Sequence, residues 1–478
     1  MSGGGFGRVR FDGFRAYKVA VNPVEPLVCS AYRDEAAEGE VRFSAGYAVN
    51  GLKHDLAKVR AEVRYVAAEG GALGTTRLAM AALKDGVASV ELPVSAFALG
   101  TNEVRMVLLE GGKVLGESSC LFARVARLPE RKVWIDAHKR TVVDGKLFFP
   151  LGMFWGDITA ADLAIYTNGA PFNCLMPYRR PDAAKMDMCA AAGVKVIFPI
   201  AGWYADFAGT NTQKAADIDA KYVRGTVEKP RSHPAILAWY LADELIVPYA
   251  RQLEDRNRMC REVDPDHPTW ICQNTAASGR PFVNGYDAIG MDTYPVGNPS
   301  GRRDIAVAHG MAAAVRQMYG ARAMWHVPQS FDWSHYAKNQ YAAQAKGWKP
   351  PPDMRMPTVE EMRSMAWQAI AAGANGLIFY SYMDIMKRGR PEDVQRKQWA
   401  DTCAVAREVK EKESVLLSEP GPVPADVPAG VVCRTWKTAD GKVHFIVCNT
   451  ERKPLKGSIR IGGNMHDIDL SPIGVLIE

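Results

Sequence analysis

The stretch His233-Pro-Ala-Ile-Leu-Ala-Trp-Tyr-Leu-Ala-Asp-Glu-Leu245 decides how the chain is read. An apolar run, Ala235 to Ala242, follows a His-Pro turn and stops at two adjacent carboxylates, Asp243 and Glu244. A polar, helix-patterned segment from Pro248 to Val263 comes next. An apolar run without polar interruption fits a strand buried on both faces, as in a parallel sheet covered by helices. Such folds gather their chemistry at the carboxyl ends of the strands. Acids in that place can also serve the N-terminus of the following helix. Here the helix signal begins only at Pro248, so the acid pair reads as a site.

Outward from this stretch, strand-like and helix-like segments alternate, the signature of βα units. The predicted strands are Phe149–Trp155, Phe172–Pro177, Lys195–Ala201, Ile236–Ala242, Thr269–Gln273, Ala288–Asp292, Ala323–Val327 and Gly376–Tyr380. Eight units fit a (β/α)8 barrel of the TIM type, and no Gly-rich phosphate fingerprint follows the first strand. Before it, from about residue 8 to 130, short alternating runs such as Val41-Arg-Phe-Ser and Glu103-Val-Arg-Met-Val-Leu-Leu recur between Gly-rich turns, which suggests a β-sandwich. After it, Leu417 to Pro428 is proline-rich and reads as an extended connector that packs as neither helix nor sheet. The expected α/β organisation is an N-terminal β-sandwich (1–133), the barrel (134–417), a linker (418–430) and a small antiparallel β-domain (431–478).

Composition narrows the function classes. The 478 residues are 47% hydrophobic and 23% charged, with a formal charge of +6. Lys and Arg are dispersed, with no basic block longer than Arg179-Arg180 or Arg302-Arg303, so no nucleic-acid partner is expected. No apolar run is long enough for a membrane span. Nine scattered cysteines without a CxxC read as buried free thiols. The opening Met1-Ser-Gly-Gly-Gly-Phe-Gly lacks an apolar signal core and reads as an artificial leader in place of a signal peptide, an expectation favouring a secreted or periplasmic protein.

The strand ends then supply the candidates. They offer Trp155 after the first strand, Tyr178 after the second, and Trp203 with Asp206 after the third. The fourth gives Asp243 and Glu244, the fifth Asn274, and the sixth Asp292 and Tyr294. The seventh gives Gln329, Asp332 and Trp333, and the eighth Tyr380. Aromatics mixed with carboxylates and amides suit a carbohydrate, whose C–H faces stack on rings and whose hydroxyls need polar partners. Strand parity puts Ala238, Tyr240, Ala242 and Glu244 on one face, so Glu244 is expected to point inward and Asp243 to brace it. No HxH or HExxH occurs and His326 reads as a satisfied core residue, so no metal is expected.

Four stretches carry a family resemblance: Phe149-Pro-Leu-Gly-Met-Phe-Trp155, the run ending at Glu244, Gly290-Met-Asp-Thr-Tyr-Pro295 and Gly376-Leu-Ile-Phe-Tyr-Ser-Tyr382. From Trp134 to Ser418 the chain resembles the barrel of clan-A-type glycoside hydrolases, which often carry accessory β-sandwiches. The resemblance implies a cofactor-free hydrolysis of a β-linked oligo- or polysaccharide, with Glu244 as general acid. It also implies a second Glu at the end of the seventh strand, where this chain has Gln329. An amide cannot form the glycosyl ester. Three repairs stay open: inversion with Asp292, Asp332 or Asp206 as base, substrate assistance with Asp243 orienting an acetamido group, or a loop carboxylate. The rival expectations are a non-catalytic carbohydrate-binding barrel, with Gln329 as the mark of lost catalysis, and a polysaccharide lyase using Tyr178 beside Arg179.

Overall fold

The computed structural model describes residues 22–49, 51, 53–69, 72–202, 204, 212–274, 280–299, 305–306, 310, 318–336, 354–386 and 391–478. The chain forms two compact units: Met1–Glu130 with Tyr319–Ala321, and Arg131–Met318 with Arg322–Glu478. Among the described residues no helix is long and apolar enough to cross a membrane.

The first unit is one mostly antiparallel eight-stranded sheet. Its alternating residues send one face inward, so Phe43, Val63, Val104, Met106 and Phe122 from different strands share a core. Phe43, Phe97 and Phe122 pack there with ring centroids 4.9 to 5.8 Å apart. The start of the predicted sandwich, up to residue 21, lies outside the described residues. One long strand, Ala72–Lys84, goes unpredicted because its Ala, Leu and Met content favours helix. Pairing with neighbours on both sides overrides that preference.

The second unit is built on a closed barrel of eight parallel strands. They are β1 (Leu151–Trp155), β2 (Cys174–Pro177), β3 (Lys195–Pro199), β4 (Ile236–Asp243), β5 (Thr269–Gln273), β6 (Ala288–Met291), β7 (Ala323–His326) and β8 (Gly376–Phe379). Pairing of Leu151 with Leu377 closes the ring. The described helices between strands include α1 (Ala160–Thr167), α2 (Ala183–Ala191), α3 (Thr212–Val227), α4 (Ala250–Val263) and α5 (Val359–Ala371), and α6 (Glu392–Glu411) follows β8. Two side-chain caps show why they start where they do: Thr159 accepts from the Asp162 N–H, and Thr358 with Glu361 forms a capping box on α5.

Large rings fill the barrel. Phe154, Tyr240 and Trp270 lie within 6.2 Å of one another, and Trp325 stacks near Trp270. Gly290 and Gly376 make room for them: a Cβ at Gly290 would stand 2.6 Å from the Trp270 ring, and one at Gly376 3.0 Å from Trp325. A hairpin caps the approach to β1, with Thr141–Val143 pairing Lys146–Phe148 across Asp144 and Gly145, both at positive φ.

The proline-rich connector is not free-standing. Glu419–Pro420 pairs with Val431–Lys437 as an edge strand, and Ala425 bridges Arg460. An edge position tolerates proline because the missing N–H faces away from the ladder. The terminal strands form a four-stranded sheet and a two-stranded hairpin over a core of Phe445, Val447, Ile459, Ile461, Ile468 and Leu470. This layer docks on α5: Arg434 donates to the Ile370 and Ala374 carbonyls, and Arg452 meets Glu361. None of the nine cysteines forms a disulfide.

Candidate active site

The bulge in β4 sets the site. Its register with β5 slips between Tyr240 and Ala242, so Tyr240 pairs with Trp270 and Asp243 with Cys272. Trp270 and Cys272 share one face of β5, which brings Asp243 to the same inner side as Tyr240. The expected parity is thereby reversed from Leu241 onward. Glu244 then adopts φ 46° and donates its N–H to the Cys272 carbonyl at 2.9 Å, which turns the chain off the strand.

A buried apparatus holds the bulge from behind. The freed Leu241 carbonyl accepts the Tyr204 hydroxyl at 2.7 Å and Arg256 at 3.5 Å. Arg256 also donates to the Ile200 and Gly202 carbonyls, lies 3.9 Å over the Tyr204 ring and is paired with Asp219. A fully buried guanidinium is tolerated because its donors and charge are answered.

Three carboxylates converge at the ends of β4 and β6. Asp292 follows β6 and is buried, with its N–H bonded to the Gln273 carbonyl at 3.2 Å. Its carboxyl lies beside those of Glu244 and Asp243. Burial first, and then the two neighbouring negative charges, drive it well above the ordinary carboxylate range. Asp243 is open to solvent yet enclosed by protein on its other sides, as at the floor of a concave mouth. Burial pushes it up to about 6 against the opposing pull of Tyr240; Glu244 adds to the rise and Tyr178 opposes it. The Tyr240 hydroxyl faces Asp243 without a well-directed hydrogen bond. Cys272 sits between the two aspartates, its thiol pushed well up by burial and by Asp292, Asp243 and Glu244. Among the described residues none of the three acids has a basic partner in hydrogen-bond or ion-pair contact. Cys272 and Tyr240 escaped the sequence reading because they meet the acids across strands rather than along one.

Accessible rings stand around the same mouth. Tyr178 is exposed, and Tyr294, Trp333 and Tyr380 are partly accessible. Tyr380 is 5.5 Å from Tyr294 and 6.4 Å from Tyr178, and Trp333 is 6.2 Å from Tyr294. The Tyr336 hydroxyl, also missed, donates to Asp384 at 2.9 Å and lies 3.2 Å from the Tyr380 hydroxyl, from which it can accept. Asn274, at the end of β5, is partly accessible. Trp203 and Asp206 lie outside the described residues.

Two expected sugar contacts are placed elsewhere. Trp155 is fully buried, stacked on Tyr382 at 4.2 Å and set edge-on to Tyr166, so it packs the barrel wall. Gln329 is also fully buried. Its Oε1 accepts from the Val296 N–H, and its Nε2 donates to the Val296 and Phe331 carbonyls, all within 3.1 Å. That amide clamps two loops and presents no free polar atom to a ligand. Arg355 is held by Glu361. His326 is fully buried in the core; burial lowers it to about 3 against a backbone hydrogen bond at Met291, so it is neutral.

No protein-family model matches the chain, and no curated protein matches it. Among solved structures, similarities fall on proteins described as β-glucuronidases and a putative β-galactosidase. The Bifidobacterium dentium β-glucuronidase is 13% identical with a TM-score of 0.39, covering 76% of this chain and 61% of its own. The Dictyoglomus thermophilum β-glucuronidase is 12% identical with a TM-score of 0.41, covering 75% and 62%. The putative β-galactosidase of Bacteroides fragilis is 14% identical with a TM-score of 0.42, covering 95% and 74%. The barrel itself is established by its own strand pairing.

Proposed function

We propose that the protein is a glycosidase that hydrolyses a β-linked glycosidic bond, with Glu244 and Asp243 as the working carboxylates and Asp292 behind them. The observation that carries this reading is the convergence of three acids, without basic partners among the described residues, on an accessible barrel mouth ringed by Tyr178, Tyr294, Trp333 and Tyr380. Rings of that kind suit pyranose faces, and clustered acids supply a proton to a leaving oxygen. Glu244 is assigned as the acid, since it is accessible at the end of β4 and in contact with the buried Asp292.

The spacing bears on mechanism. Carboxylate oxygens of Asp243 and Asp292 lie within 4.8 Å of each other, and Glu244 is in contact with Asp292. Inverting pairs stand about 6.5–9.5 Å apart to admit a water. These pairs are too close for that. The three acids come from the ends of β4 and β6, on either side of β5, while across the mouth, among the described residues, Gln329 is locked and Asp384 is engaged by Ser381 and Tyr336. One-sided acids favour substrate assistance, with Asp243 orienting an acetamido group that attacks the anomeric carbon.

The test is product release from paired natural oligosaccharides that differ only in carrying a 2-acetamido or a 2-hydroxy group. Release of a free sugar from either supports a glycosidase, and strong preference for the acetamido member supports assistance. Binding without release across the panel would replace the hydrolase with a carbohydrate-binding barrel.

A further inference from the structure

The ends of β4, β5 and β6 bring together a ligand set that no run of sequence displays. A carboxylate oxygen of Asp243, the Cys272 Sγ and a carboxylate oxygen of Asp292 all lie within 4.8 Å of one another. The strand ladder fixes this, since Asp243 pairs with Cys272 and Cys272 with Gly290, two residues before Asp292. Two further atoms at this place are buried and lack a well-directed hydrogen bond among the described residues: Asp292 Oδ1 and the Tyr240 hydroxyl. Their residues are 7% and 1% exposed. The pocket thus combines donors of negative charge, a sulfur and two unsatisfied oxygens, with no described lysine or arginine bound to the acids. Asp243 is exposed and gives an entry path from the mouth.

We propose that Asp243, Cys272 and Asp292 bind one thiophilic divalent cation of the zinc–cadmium class, and that the bound cation shuts the hydrolytic site. The second half rests on the glycosidase reading; the first does not. One sulfur and two oxygens fit a four-coordinate borderline-soft ion that keeps a water in its last position. Calcium and magnesium ask for six or more oxygens and gain nothing from sulfur. On binding, the Cys272 S–H bond breaks, its electron pair goes to the metal–sulfur bond and the proton leaves to solvent. A proton held on Asp292 leaves in the same way. No oxidant or reductant takes part. With Asp243 coordinated, the acid cluster is withdrawn from the sugar.

Cobalt(II) is the probe, because its bond to a thiolate gives a charge-transfer absorption that oxygen ligands do not. The full chain is titrated with cobalt, and zinc is then added to displace it. The expected result is a band that saturates at one equivalent, disappears with zinc and is absent from Cys272→Ser. Asp243→Asn, at an accessible position where folding is retained, is expected to weaken cobalt binding by at least about 10- to 100-fold. No band in the wild type, or an unchanged band in Cys272→Ser, overturns the cation site. Zinc inhibition of sugar release, compared with each protein's own metal-free rate, tests closure. The expected inhibitory zinc concentration rises by about 100-fold or more in Cys272→Ser. A cobalt band with undiminished hydrolysis would overturn closure and leave the cation site standing. If the wild type hydrolyses no sugar, the glycosidase reading and closure fall together, while the cobalt titration still decides the site.

Discussion

Two sets of acids occupy the same unit and are treated in opposite ways. Behind the barrel four acids have an arginine: Asp219 with Arg256, Asp287 with Arg261, Glu408 with Arg363, and Glu361 with both Arg355 and Arg452. At the mouth, Asp243, Glu244 and Asp292 crowd one another, and none has such a partner among the described residues. Among the described residues, arginines answer several acids elsewhere in the unit and none answers these three. Leaving a charge buried and unanswered costs stability, and sites that need shifted acids are where such a cost is borne. The contrast separates carboxylates that hold the fold from carboxylates available for chemistry.

The largest break in this contrast comes from planting an unpaired acid in the quiet side of the mouth. Gln329→Glu replaces an amide that donates twice by a carboxylate that can only accept, facing the Val296 and Phe331 carbonyls. We expect a loss of about 3–5 kcal/mol in denaturant-measured stability, with no gain in hydrolysis. An active, stable Gln329→Glu protein would show that the amide stands where a nucleophile could work.

The paired set is tested by acid. Burial opposes the charge of Glu361, but Arg355, the Thr358 N–H and Arg452 outweigh it and hold the carboxyl at about 2. A carboxyl held below its unfolded value stabilises above that value, and the gain is lost as pH falls through the folded one. Docking of the C-terminal sheet on α5 is therefore expected to weaken between about pH 4.5 and 2, by on the order of 1–3 kcal/mol after allowance for the exposure of Arg355 and Arg452. Thermal melts of wild type and Glu361→Gln across that range should converge at the acid end. Parallel curves would remove Glu361 from the account.

The unpaired set predicts the reverse sign. Asp292→Asn keeps the shape and removes a charge that nothing described neutralises, so the protein is expected to gain about 1 kcal/mol in stability while sugar release falls. A loss of stability would place a hidden partner at Asp292. The smallest effect belongs to Tyr204→Phe, which deletes one bond to the Leu241 carbonyl and should cost about 1 kcal/mol. If Tyr204 aims Asp243 through the bulge, the pH profile of hydrolysis also moves; a purely structural tyrosine would lower the melting temperature alone.

Much of this architecture is legible in the chain. The eight apolar runs locate the barrel strands to within a residue or two at most ends, because doubly buried strands carry no polar interruptions. Asp243, Glu244 and Asp292 are visible as acids at strand ends. Their aim is not, because a bulge at Leu241 has no local sequence signature and reverses parity for every residue after it. Trp155 and Gln329 mislead for a related reason: position at a strand end does not say whether a side chain turns to the mouth or into the wall. Cys272 could be found only once the ladder had set it between two aspartates.

The most direct measurement is sugar release from unactivated oligosaccharides by wild type and Glu244→Gln, with folding of both checked by thermal melts. Natural leaving groups are needed because an aryl group departs with little help from an acid. Glu244→Gln is predicted to melt like the wild type and to turn over about 100- to 10,000-fold more slowly. Equal rates would contradict the assignment of Glu244, and the mouth acids would lose their claim to the chemistry.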